Sequence, residues 1–102
     1  MADLWENISE SEMRKVEIYV KKLGKLCRVI DKTTPVYYNL KEQLESIEHR
    51  VQSLRARGRL HAIPILEVRA SAIEGVMNTY KHYLEAHLTV REEIVEFLEP
   101  YA

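Results

Sequence analysis

Apolar side chains return at alternating intervals of three and four residues along most of this chain. Met13, Val16, Val20, Leu23, Cys27 and Ile30 open the series, with Tyr19 and Leu26 widening it on one side. Tyr37, Leu40, Leu44, Ile47, Val51 and Leu54 repeat it. Leu66, Ala70, Ile73, Met77, Tyr80, Leu84 and His87 repeat it again, flanked by Val76 and Tyr83. That spacing gathers side chains on one face of an α-helix, whereas a strand would alternate at every second residue. Three glycines and three prolines in 102 residues are too few for the repeated tight turns of an all-β fold.

Helix ends are read from the residues between the stripes. Ser9, with Glu12 three residues later, forms a capping-box pattern, and Ile8 and Met13 around it suit a hydrophobic staple. Thr33-Thr34-Pro35 reads as a stop followed by a restart, with Thr34 as cap and Pro35 at the first helical position. Gly58 closes the second stripe behind Arg55 and Arg57, and Pro64 starts the third. Thr89, with Glu92 three residues on, signals a short last helix carrying Val90, Ile94, Val95 and Leu98 before Pro100. Gly24 inside the first stripe marks a close helix crossing. The expected fold is therefore all-α, an antiparallel three-helix bundle of long helices over 10–31, 35–57 and 64–88. A short fourth C-terminal helix over 90–99 completes a single domain spanning 1–102, with an N-terminal apolar segment over 1–8. The seams either close within one chain or are shared between chains as a coiled coil.

Composition narrows the function classes. Fifteen Lys and Arg against sixteen Asp and Glu leave a net charge of −1, unlike a strongly basic nucleic-acid binder. Cys27 stands alone, so it reads as an inert thiol on a helix face. No apolar run reaches the ~18 residues of a membrane span, and Met1 to Glu6 do not resemble a secretory signal. The expected location is intracellular.

Reaction chemistry is not assembled. His82 and Glu85 are spaced to share a metal, but the adjoining helix offers only Glu45, Glu48 and His49, and no His-x-x-x-His pair exists. Glu92, Glu93 and Glu96 are spaced like part of a magnesium site, yet such a site needs carboxylates from a second helix. Neither a phosphate-binding glycine loop nor a nucleophile with its base is present. The expectation is a non-enzymatic module with no metal and no cofactor, and with neither a small molecule nor a membrane as partner.

Apolar residues that stand off the stripes say more. Ile18 and Val29 lie off the first, Tyr38 off the second, and Ile65 and Val68 off the third. Leu4, Trp5 and Ile8 precede the capped helix. Several such residues on one small bundle point to a surface covered by another chain. Leu4, Trp5, Ile8, Ile18, Val29, Tyr38 and Val68 are thus the expected contacts of an interaction, adaptor or regulatory module. Its partner is another protein or a second copy, with a homodimer favoured. The alternative is a nucleic-acid-associated regulator. It would use Lys21, Lys22, Lys25 and Arg28 on the first helix with Arg55, Arg57 and Arg59 at the end of the second.

Overall fold

The computed structural model describes residues 8–102, and the described residues form two long helices and no strand. Helix α1 runs Glu10–Ala56 and helix α2 runs Ile63–Leu98, with short 3-10 turns at Leu60–Ala62 and Glu99–Tyr101. The three-helix bundle with a fourth short helix is overturned. The expected first and second helices are one, and the expected third and fourth are one.

The start and the turn follow local chemistry. The Glu12 amide donates to Ser9 Oγ at 3.2 Å and the Met13 amide to the Ser9 carbonyl at 3.0 Å, so Ser9 caps α1. At the other end Gly58 takes φ 70°, in the left-handed region where a side chain is strained. The Arg59 amide reaches the Leu54 carbonyl at 2.9 Å and the Gly58 amide reaches that of Arg55 at 3.1 Å. These two bonds form a Schellman motif, which satisfies the last carbonyls of α1.

The two expected breaks fail for a common reason, which is phase. In α1 the positions 16, 19, 23, 26, 30, 33, 37, 40, 44, 47, 51 and 54 keep the three-four alternation, and every one is buried or half-buried. Ile30, Thr33 and Tyr37 carry it straight across Pro35. A separate helix beginning at Pro35 would have no need to keep that register. Pro35 itself is exposed, as is Asp31, so the carbonyl that loses its amide partner can turn to water. In α2 the same alternation runs from Ile63 through Leu84, His87, Arg91 and Ile94 to Leu98. Thr89 is no cap there. Its hydroxyl donates to the Glu85 carbonyl one turn back at 3.0 Å, an arrangement that belongs to helix interiors.

Two details of the first stripe also change. Tyr19 and Leu26 occupy the seam, while Met13 and Val20 are 42% and 53% exposed. Stripes through Val20 or through Tyr19 share Val16, Leu23 and Ile30, so local spacing alone suits either. The phase continued by Tyr37 and Leu40 selects Tyr19. Gly24 marks no close crossing, since an added Cβ would meet nothing within 4 Å.

Internal contacts divide the chain into two compact units, Met1–Lys32 with Leu84–Ala102, and Thr33–Tyr83. The first pairs the opening part of α1 with the closing part of α2. Val16, Ile30, Leu84 and Ile94 are its most buried side chains. Tyr19 packs on Phe97 with ring centroids 4.5 Å apart, and the Lys15 ammonium sits 5.3 Å from the same ring. The second unit is a helical hairpin around the Gly58 turn, with Val51 and Ile63 its most buried side chains. Arg55 and Glu67 pair across it at 2.9 Å. No described side chain falls below 2% exposure, as expected where two helices meet along one seam with no third element over it.

Candidate interaction surfaces

Coiled-coil letters place the remaining residues, with a and d in the seam, e and g beside it, and b, c and f facing outward. Val16 and Ile63 are a positions. In an antiparallel pair the two e rows share one side and the two g rows the other. Lys15 and Phe97 are both g and lie together, whereas Arg55 and Glu67 are both e and form the ion pair.

In the hairpin unit, the outward side of α2 carries no formal charge for about five turns. Its b, c and f positions are Pro64, Ile65, Val68, Ser71, Ala72, Gly75, Asn78, Thr79 and His82. Ile65 is 73% exposed and Val68 72%. The Thr79 hydroxyl turns inward to the Gly75 carbonyl at 3.1 Å, which lowers the polarity of this side further. Outward positions of a solvated helix are ordinarily charged, so this face is unusual. On α1 of the same unit Tyr38 is exposed, its ring edge-on to Tyr37 at 5.5 Å. A polar groove on the g side is lined by Asn39, Gln43, Arg50 and Arg69.

In the other unit, the e row is apolar throughout. It consists of Met13, Val20 and Cys27 on α1 with Leu88 and Val95 on α2. Met13, Val20 and Val95 are exposed, and Cys27 and Leu88 half-buried. Met13, Val16 and Val20 line a shallow groove edged by Glu17 and Lys21.

The other expected contacts are scattered. Ile18 is 53% exposed on the outward side of α1, Val29 is half-buried on the g side, and Ile8 is half-buried just before the cap. Leu4 and Trp5 lie outside the described residues. Sequence reasoning placed Met13, Val20 and Cys27 in the core and so missed them as a surface. The signal available was that Tyr19 and Leu26 already filled the seam.

Basic residues fall into two groups. Lys21, Lys22, Lys25 and Arg28 are all exposed on the first unit's stretch of α1, and the Lys22 ammonium lies 5.3 Å from the Tyr19 ring. Arg55 is engaged with Glu67, while Arg57 and Arg59 occupy the turn of the hairpin unit. Among the described residues no three His, Cys, Asp or Glu side chains gather as a metal site would require. No described helix is long and apolar enough to cross a membrane. No protein-family model, curated protein or solved structure matches the chain.

Proposed function

We propose that this chain is a non-enzymatic helical interaction module, an adaptor or regulatory piece that works as a homo-oligomer or as a subunit of a larger complex. The observation that carries this reading is the uncharged outward side of α2 between Pro64 and His82, with Ile65 and Val68 more than 70% exposed at its start. Small residues at Ala72 and Gly75 let another helix approach closely, and the larger pair supplies area to exclude water. Intracellular location remains part of the proposal. The test is a photo-cross-linking residue at position 68 of the full chain in its native cells, with position 74 on the charged flank as control. Adducts to a protein at 68 that disappear with Ile65→Asp support the reading. Equal labelling at both positions rejects it.

A second reading follows from Lys21, Lys22, Lys25 and Arg28, which lie exposed within two turns of one helix. A nucleic-acid partner would bind with an affinity that falls steeply as salt rises, and charge reversal at these four would remove it. A flat salt response returns the module to protein partners.

A further inference from the structure

The e rows of the two units differ in kind. In the hairpin unit they hold Thr34, Lys41, Glu48 and Arg55 on α1, with Glu67, Glu74 and Lys81 on α2. That is the mixed-charge flank of a solvated coiled coil, and Arg55 and Glu67 are joined across it at 2.9 Å. In the first unit the e positions of the helices are Met13, Val20, Cys27, Leu88 and Val95, all apolar. Water meets Met13, Val20 and Val95 directly.

Charge is spread unequally over the two edges of this strip, where the b and f positions stand. On α2 the edge is acidic, with Glu85, Glu92, Glu96 and Glu99 and no Lys or Arg. On α1 it is mixed, with Glu10, Glu17 and Asp31 at b and Arg14, Lys21 and Arg28 at f. Phe97 of α2 packs on Tyr19 and lies under the Lys15 ammonium, so it stands level with the turn between them. The two helices run antiparallel with the same rise per residue. Arg14 is therefore level with Glu99, Lys21 with Glu92 and Arg28 with Glu85, each to within about one residue. The same count sets Val20 level with Val95 and Cys27 level with Leu88.

Two copies can meet face to face through this strip about two different two-fold axes. An axis across the helices lays α2 on α2 and sets carboxylates against carboxylates, with no base on that edge to relieve them. An axis along the seam lays each α1 over the α2 of the other copy and keeps every residue at its own height. Arg14, Lys21 and Arg28 then face Glu99, Glu92 and Glu85 of the other copy, while Val20 meets Val95 and Cys27 meets Leu88. Glu17, level with Glu96, is an exception that Lys21 offsets from one turn away. We infer that the e-side strip of the first unit is the interface of a homodimer with its two-fold axis along the seam, a four-helix bundle made of two first units. A different occupant would have to bring cations to α2 and a matching mixture to α1, whereas a second copy carries both at the required heights. A strip about 30 Å long and two helices wide buries on the order of 1,200 Å² over both copies, the lower end for a specific dimer. This names the partner within the interaction-module reading and rests on it, but uses residues separate from Ile65 and Val68.

The test is sedimentation equilibrium of the full chain across the micromolar range, with helicity followed by circular dichroism. A monomer–dimer equilibrium is expected. Val20→Asp should leave only monomer at unchanged helicity, since the side chain is already half in water. Val68→Asp should leave the dimer as it was. Lys21→Glu and Glu92→Lys should each weaken the dimer about tenfold, because the two-fold axis repeats the change at two contacts. Mixing those two variants should restore the parent affinity, since each copy then offers the charge that the other lacks. An ion pair within one chain gains nothing from mixing. About the crosswise axis, Glu92→Lys would instead tighten the dimer by relieving acid against acid. A chain that stays monomeric overturns the inference. So does a dimer that survives Val20→Asp, is lost with Val68→Asp, tightens with Glu92→Lys, is not restored in the mixture, or appears only after residues 1–7 are deleted. Failure here with position-68 adducts intact removes this interface and leaves the broader reading standing, while loss of both removes the module itself.

Discussion

Replacing Pro35 by alanine separates one continuous helix from two abutting ones by the sign of its effect. In the interior of α1 the proline ring deprives the Asp31 carbonyl of its amide donor and presses against that carbonyl. Host measurements put proline about 3 kcal/mol below alanine in a helix interior, of which roughly 1 kcal/mol is the missing hydrogen bond. Some of this is already recovered, because Pro35 and Asp31 are exposed and water can serve the carbonyl. A gain of about 2 kcal/mol is therefore expected for Pro35→Ala. For a domain of this size it raises Tm by about 8–16 °C. Were Pro35 the first residue of a second helix, no bond would be missing there. Alanine would then only widen the unfolded ensemble and destabilise the protein by about 0.4–1 kcal/mol. Urea and thermal unfolding followed by far-ultraviolet circular dichroism decide between them. A lower midpoint in the variant refutes the argument from phase.

The other expectations concern single contacts. Gly58→Ala should cost about 1 kcal/mol from backbone strain alone, because a Cβ there meets nothing within 4 Å. Gly24→Ala, in an equally open helical position, should instead gain about 0.5–1 kcal/mol, both read by chemical denaturation. Ile94→Ala, at 4% exposure, should lose about 2–4 kcal/mol, whereas Ile18→Ala should stay within about 0.5 kcal/mol of the parent. A double-mutant cycle on Arg55 and Glu67 should return less than about 1 kcal/mol and shrink with salt. Both side chains are more than half exposed despite their 2.9 Å separation.

Sequence pattern and structure part company where polar residues stand in the seam. The stripes from Tyr37 to Leu54 and from Leu66 to His87 were legible because each position is apolar or aromatic, save the last. So were the Ser9 cap and the Gly58 stop, whose side-chain and backbone chemistry is local. Thr33, His87 and Arg91 hide the continuity, because a seam that ends in threonine beside a proline looks finished. Two paired helices bury their contact positions only in part, so a threonine or the aliphatic stem of an arginine is tolerated at a depth that a closed three-helix core would penalise. Register survives such substitutions even when hydrophobicity does not. Counting phase across a suspected break, in place of weighing the proline or the Ser/Thr signal by itself, would have joined both pairs of helices.

The groove was illegible for a different reason. A hydrophobic side chain records only that water is excluded from it in some state, and the spacing of Met13, Val20 and Cys27 is compatible with burial by the same chain. Only when Tyr19 is seen against Phe97, 4.5 Å away, does the other side of the stripe become surplus to α1's pairing with α2. The hairpin unit serves as the internal control for that inference. It is built from the same two helices with the same lettered positions, yet apart from Thr34 its e row is Lys, Glu and Arg. Pairing α1 with α2 therefore does not require apolar residues at e. Five of them in one unit therefore need a cause outside that pairing.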